Sequence, residues 1–299
     1  MPTETPALLS TTAFKRYRSG LLDHWHLLSL DAPAVATLWT WFIAAAVHLR
    51  LPAVALIAMF LAVWTLYAAD RLLDARQLSG NPLQTAGLEP RHLFHHRHRN
   101  AFHIGIGVAT IALAAALPRL SIEAIRLYLI LGGLLTGYFI LIHATQHARR
   151  LPKEIAVGLF FAAATFIPTV ARHPELRLAL ILPAVLLAAL CSLNCLFIYA
   201  WEHETQGSSQ IEVQTPHPAT RIALRCLRPL GVALVLAAAA VACRDRQAPW
   251  PLSLACGLSA FGLLLLDRNR RRIASTTLRA AADLALTTPL LLLPFLRQR

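Results

Sequence analysis

The chain has 299 residues, 57% of them hydrophobic and 14% charged, with a mean hydropathy of +0.55 and a formal net charge of +13. Soluble domains carry roughly a quarter charged residues, so this composition excludes an ordinary soluble enzyme and points to an all-α, multi-pass membrane protein. The 28 lysines and arginines are dispersed between apolar runs instead of gathered on one face, which argues for a lipid bilayer as partner and against nucleic acid.

Residues 1–31 are polar and mixed in charge, with no short apolar core ahead of a small-residue cleavage site. They read as a cytoplasmic N-terminal segment and not as a cleaved signal. From there residues 32–299 read as one transmembrane domain. Apolar runs near 20 residues, the length of a bilayer-crossing helix, recur at 32–48, 51–70, 101–118, 124–143, 154–171, 178–201, 229–243, 249–266 and 279–296. They predict about nine transmembrane helices. Pro168, Pro183 and Pro289 fall inside runs, where neighbouring membrane helices can satisfy the freed backbone groups. Cys191, Cys195, Cys226, Cys243 and Cys256 lie in or beside these runs without a CxxC pair, and are expected as buried thiols. Of the 28 basic residues, 19 lie at the N-terminus or around the loops after the second, fourth, sixth and eighth runs. That excess predicts a cytoplasmic N-terminus in the cytoplasmic (inner) membrane.

The second run ends in LYAADRLLDARQL, residues 66–78. Asp70 and Asp74 fall one helical turn apart on one face, where two carboxylates repel unless a cation sits between them. Mg²⁺ takes one or two protein carboxylates and fills its octahedron with water and phosphate oxygens. Arg71, three residues before Asp74, offers a plainer alternative: a snorkelling ion pair at a helix end. The sixth run ends in LCSLNCLFIYAWEHETQG, residues 190–207, where Asn194, Ile198 and Glu202 share a stripe and Glu204 follows. A buried Asn194 amide needs a partner, and an interhelical hydrogen bond would supply one. In the ninth run Asp283 lies about a turn inside the membrane, facing a cavity or pairing with Arg279.

DRLLDA at 70–75 resembles the end of the first aspartate-rich motif, NDxxDxxxD, of the UbiA superfamily of intramembrane prenyltransferases. Position agrees as well as letters, since that family has nine helices with acidic motifs ending the second and sixth, both facing the cytoplasm. The resemblance implies Mg²⁺ as cofactor, an isoprenoid diphosphate donor, and an aromatic or other lipophilic acceptor that captures the carbocation left by the departing diphosphate. It implies Asp70, Asp74 and Glu202 as metal ligands, with Glu204 beside them as a further catalytic residue. Tyr67, Arg71, Arg91, Arg97, Asn194, Tyr199 and Asp283 are then the substrate-binding set. Leu66 and Tyr67 stand where the family has Asn and its first Asp. The second motif's DxxxD is replaced by the neighbourhood of Asn194, Tyr199, Glu202 and Glu204, with IYA at 198–200 similar to some members.

The loop RHLFHHRHRNAFH, residues 91–103, supports two other readings besides phosphate recognition by Arg91, Arg97 and Arg99. One is a basic surface against anionic lipid. The other is a di-iron membrane oxidase, from HxxHH at His92, His95 and His96 and HxxxH at His143 and His147, with His98, His203 and His217 on the same side. A third spaced box, needed for specificity, is missing. A membrane protein that binds an isoprenoid lipid without turning it over is the non-catalytic alternative.

Overall fold

The computed structural model describes residues 28–78, 97–144, 153–205, 218–244, 248–273 and 275–296. Among them every regular element is helical: α1 Asp31–Ala46, α2 Ala53–Leu78, α3 Arg99–Ala116, α4 Ile122–Ala144, α5 Lys153–Arg172, α6 Arg177–Thr205, α7 Pro218–Arg225, α8 Leu227–Arg244, α9 Trp250–Asn269, α10 Ser275–Ala285 and the short α11 Leu293–Leu296. Short 3₁₀ turns link some of them, including Thr288–Leu292 between α10 and α11.

All nine apolar runs are helical. Among the described residues, however, six helices are long and apolar enough to cross a membrane (α2, α3, α5, α6, α8 and α9), or seven if a bent pair counts as one span. That pair, Thr277–Ala285 with Thr288–Leu296, bends by 41° at the break. The expected count of about nine is therefore not confirmed. For the first and last runs a local cause is visible. The 16 residues of α1 end where His48 takes a left-handed φ of 59°, with the Leu49 N–H returning to the Ala44 carbonyl at 2.8 Å. That geometry closes a helix and turns the chain away. The last run breaks before Pro289, which cannot donate to the preceding turn. Thr288 there hydrogen-bonds the Ala255 carbonyl of α9 at 2.9 Å and meets Ser259 Oγ at 2.6 Å.

The bundle is organised around α6, which packs against α5, α8, α9 and α10. Leu187, Leu190 and Phe197 of α6, Trp39 and Phe42 of α1, and Leu252 and Leu263 of α9 are buried in one core cluster. At Gly158 α5 meets α6 so closely that an added Cβ would lie 2.5 Å from the Ser192 backbone nitrogen and 2.8 Å from the Ala188 carbonyl oxygen. Small residues at such crossings let membrane helices approach and gain packing. Trp39 Nε1 donates to the Leu286 carbonyl at 2.9 Å, tying α1 to the end of α10.

One charged group lies deep in the packing. Asp267, 3% exposed, accepts from Trp201 Nε1 at 3.0 Å, Arg228 Nε at 2.7 Å and Arg270 Nη1 at 2.6 Å, joining α6, α8 and the end of α9. Three donors satisfy a carboxylate that burial alone would penalise. The outer surface is the reverse of a soluble protein's. Ile104, Ile111, Ile122, Leu129 and Leu178 stand exposed on α3, α4 and α6, apolar area suited to lipid tails. This is a multi-pass membrane architecture. The cysteines are all free, and Cys191 and Cys256 are buried as expected. Cys226 and Cys243 are not: they sit at the two ends of α8, on its exposed side.

Candidate functional site

The sequence spacing put Asp70 at the end of an apolar run, but the helix does not stop there. Helix α2 continues to Leu78, so Asp70 and Asp74 both lie within it. Likewise α6 runs on to Thr205 and carries Glu202 in its last turn. These two helix ends, the starts of α1 and α5, and α10 surround a cavity of about 300 Å³. Tyr67 and Arg71 enter it from α2, Asn194, Cys195, Ile198, Tyr199 and Glu202 from α6, and Arg279 and Asp283 from α10. Asp31 and Ala32 of α1 and Lys153, Glu154 and Val157 of α5 complete most of the wall. Ser29, buried and with a left-handed φ of 56°, turns the chain into α1 beside Asp31 and also lines the cavity. Non-glycine residues in that region are uncommon and gather at functional sites.

Two cross-helix contacts fix the wall. Arg279 Nη1 of α10 donates to Glu202 Oε1 of α6 in a half-buried ion pair. Asn194 Nδ2 donates to Asp283 Oδ1 at 3.2 Å. Arg279 thus reaches Glu202 across to α6, and Asp283 supplies a partner for the Asn194 amide. On α5, Glu154 Oε2 accepts from Thr220 Oγ1 of α7 at 3.3 Å.

Six of the residues expected to bind substrate or metal thus share one wall: Tyr67, Arg71, Asn194, Tyr199, Glu202 and Asp283. Asp70 is not among the lining residues. It lies half-exposed at the rim, its Oδ1 4.0 Å from Lys153 Nζ, which does line the cavity. Arg97 is exposed just before α3 and does not reach the cavity. The side chains of Asp74 and Glu204, and Arg91 altogether, lie outside the described residues, as do His92, His95, His96, His147 and His217 and the side chains of His143 and His203.

Four charged lining residues went unremarked or were given a lesser role in the sequence: Asp31, Lys153, Glu154 and Arg279. Asp31, Lys153 and Glu154 open helices, and Arg279 lies in the first turns of α10, at the same end of the bundle as Asp70. A rule that flags charges at run ends on the side of Asp70 would have found them.

In charge, the lining holds four carboxylates (Asp31, Glu154, Glu202, Asp283) against three cations (Arg71, Lys153, Arg279). The wall can therefore bind either sign locally, while a polyanion entering the whole cavity needs a further cation. Among the described residues no three His, Cys, Asp or Glu side chains gather as a metal cage. No protein-family model matches the chain, and neither a curated protein nor a solved structure matches it.

Proposed function

We propose that this protein is a UbiA-like intramembrane prenyltransferase, moving a prenyl group from an isoprenoid diphosphate to an aromatic or other lipophilic acceptor. The observation that carries the reading is the cavity between the ends of α2 and α6, where polar groups of both signs meet at one end of an apolar bundle. An amphiphile with a diphosphate head and an oily tail matches that division. In this reading all nine apolar runs span the cytoplasmic membrane and the N-terminus and this polar end face the cytoplasm, as the basic-residue bias suggests.

The roles follow from charge. Mg²⁺, held by Asp70 and Asp74, would supply charge neutralisation to the diphosphate. Arg71 and Lys153 add cationic donors at the same rim, and the Tyr67 hydroxyl can donate to a phosphate oxygen where the family has its first Asp. Glu202 is held by Arg279, so its part is to set the wall's charge and shape. Apolar wall residues such as Ala32, Val157 and Ile198 keep water from a cationic intermediate. That pairing of Glu202, with Tyr67 in the first aspartate's place, also favours a second reading, in which the protein binds the lipid without turnover.

Purified protein in detergent separates the two. Geranylgeranyl diphosphate is expected to bind only with Mg²⁺ present and to release pyrophosphate with a suitable acceptor from a panel. The Asp70→Ala, Asp74→Ala double variant is expected to lose that binding while keeping its helix content. Unchanged donor binding in the double variant would overturn the site. Binding without release across the panel would move the conclusion to the second reading.

A further inference from the structure

Where α7 leads into α8 and α9 finishes, the charge at the end of the bundle is one-sided. Arg221 and Arg225 of α7 and Arg228 of α8 stand at i, i+4 and i+7. The turn runs on through the junction, with the Cys226 N–H on the Ile222 carbonyl at 3.1 Å and the Leu230 N–H on the Cys226 carbonyl at 2.8 Å. That spacing puts the three arginines on one face. Helix α9 returns beside them and ends in Arg268 and the 3₁₀ turn Arg270–Arg272. The buried Asp267 joins the two groups, accepting from Arg228 at 2.7 Å and from Arg270 at 2.6 Å. Arg221, Arg225, Arg268, Arg271 and Arg272 are exposed and have no ion pair among the described residues. Arg228 gives Asp267 one of its five N–H donors, and its side chain is 64% exposed, which leaves donors for a partner outside.

Apolar surface begins directly beside these charges. Phe261 and Leu265 are exposed on the face of α9 that leads to Arg268, Leu230 is exposed next to Arg228, and Ile222 is exposed between Arg221 and Arg225. A surface that passes from arginine to uncovered phenylalanine and leucine within two helical turns belongs at the boundary between lipid tails and water. Insertion bias accounts for basic residues on one side of a membrane. It does not account for two arginine rows drawn together on one buried carboxylate.

We infer that this arginine surface is a docking site for the phosphate headgroup of an anionic bilayer phospholipid, whose acyl chains lie along Phe261, Leu265 and Leu230. Charge complementarity selects the occupant. Guanidinium groups bind phosphate oxygens in bidentate pairs, and basic clusters at the end of a membrane helix draw anionic lipid. A soluble anion would match the arginines and leave the apolar rows uncovered. A zwitterionic lipid would cover the rows but bring an ammonium group to the arginines. None of these arginines lines the cavity, so the inference stands apart from the proposed transferase.

Cys226 and Cys243, both exposed and at opposite ends of α8, supply paired reporters. A fluorophore is placed on Cys226 in a Cys243→Ser protein and on Cys243 in a Cys226→Ser protein, with mass spectrometry confirming a single label. Each full chain is held in phosphatidylcholine nanodiscs carrying a trace of either phosphatidylglycerol or phosphatidylcholine with a nitroxide high on its acyl chain. At Cys226 the phosphatidylglycerol is expected to quench as if about fivefold enriched, the local gain that one arginine near an anionic surface supports. At Cys243, beside Arg244, the preference is expected to be much weaker. The combined variant Arg221→Gln, Arg225→Gln, Arg271→Gln, Arg272→Gln is expected to lose the preference at Cys226 and keep its helix content, since these four side chains have no ion pair among the described residues. Equal quenching at Cys226 by the two lipids, with all arginines present, overturns the inference and leaves the surface to a soluble acidic partner; this result needs no folded variant. A preference as strong at Cys243, or one that survives in the folded combined variant, overturns it too. Millimolar inorganic phosphate at constant ionic strength separates lipid from free anion: an undiminished preference supports the lipid, and an abolished one overturns the assignment.

Discussion

Replacing Gly158 with alanine probes the crossing that holds the cavity's two sides together. In a helix interior the change should help by about 1 kcal/mol, because glycine is the poorer helix former. Here the new methyl would lie 2.5 Å from the Ser192 nitrogen and 2.8 Å from the Ala188 oxygen, and closer still to Ser192 Oγ. Two of those three atoms are backbone, and Ser192 Oγ is held by the Ala188 carbonyl at 2.8 Å, so no side chain can simply swing aside. Helices α5 and α6 must part. Overpacking of this kind costs about 1–3 kcal/mol, and the upper end applies when backbone is struck. The net loss is then about 1–2 kcal/mol, or a fall in melting temperature of roughly 2–8 °C for a chain of this size. Gly133 is the control, since an added Cβ there meets nothing within 4 Å. Its alanine variant should melt at or above the parent's temperature. Thermal unfolding of both variants in one detergent, followed by tryptophan fluorescence, is the assay. Because Glu154 and Val157 of the same helix line the cavity, Gly158→Ala should also weaken donor binding. If Gly158→Ala and Gly133→Ala melt together, the close approach of α5 and α6 is wrong.

Two further changes test the charged groups. Asp267→Asn leaves Arg228 and Arg270 without their buried counter-charge. Since Arg228 is largely exposed, the loss should sit near the lower end of the range for breaking a buried pair, about 3 kcal/mol, read from unfolding in mixed micelles. An unchanged midpoint would refute the role given to this cluster. Arg279→Met removes the partner of Glu202 and makes the cavity lining more negative. Isoprenoid diphosphate should then bind about tenfold more weakly at the same Mg²⁺ concentration, measured by titration, and equal affinity would show that Arg279 does not set the site's charge.

The sequence alone determined the class of molecule. Runs of apolar residues near bilayer length, with few charges, leave a helix as the only way to satisfy the backbone in each run, so the all-helical fold and its membrane character follow from composition. It also marked Arg71, Asn194, Glu202 and Asp283 as polar groups in or beside oily runs, where unpaired polarity is expensive, and the resemblance added Tyr67. What it left open was the partner of each. Arg279 and Asp283 are a turn apart, and local spacing favours pairing them. In the folded chain each also has a partner on α6, Arg279 in Glu202 and Asp283 in Asn194, which spacing along one helix could not foretell. Periodicity reports which residues share a face of one helix, and says nothing of which helix stands opposite. The same limit hid Asp31, Lys153 and Glu154. They open α1 and α5, ordinary places for charge, and become cavity residues only because those helix ends meet α2 and α6. The break between α10 and α11 was a matter of tertiary contact too. Pro289 permits it, and the hold of Thr288 on α9 decides where the chain bends.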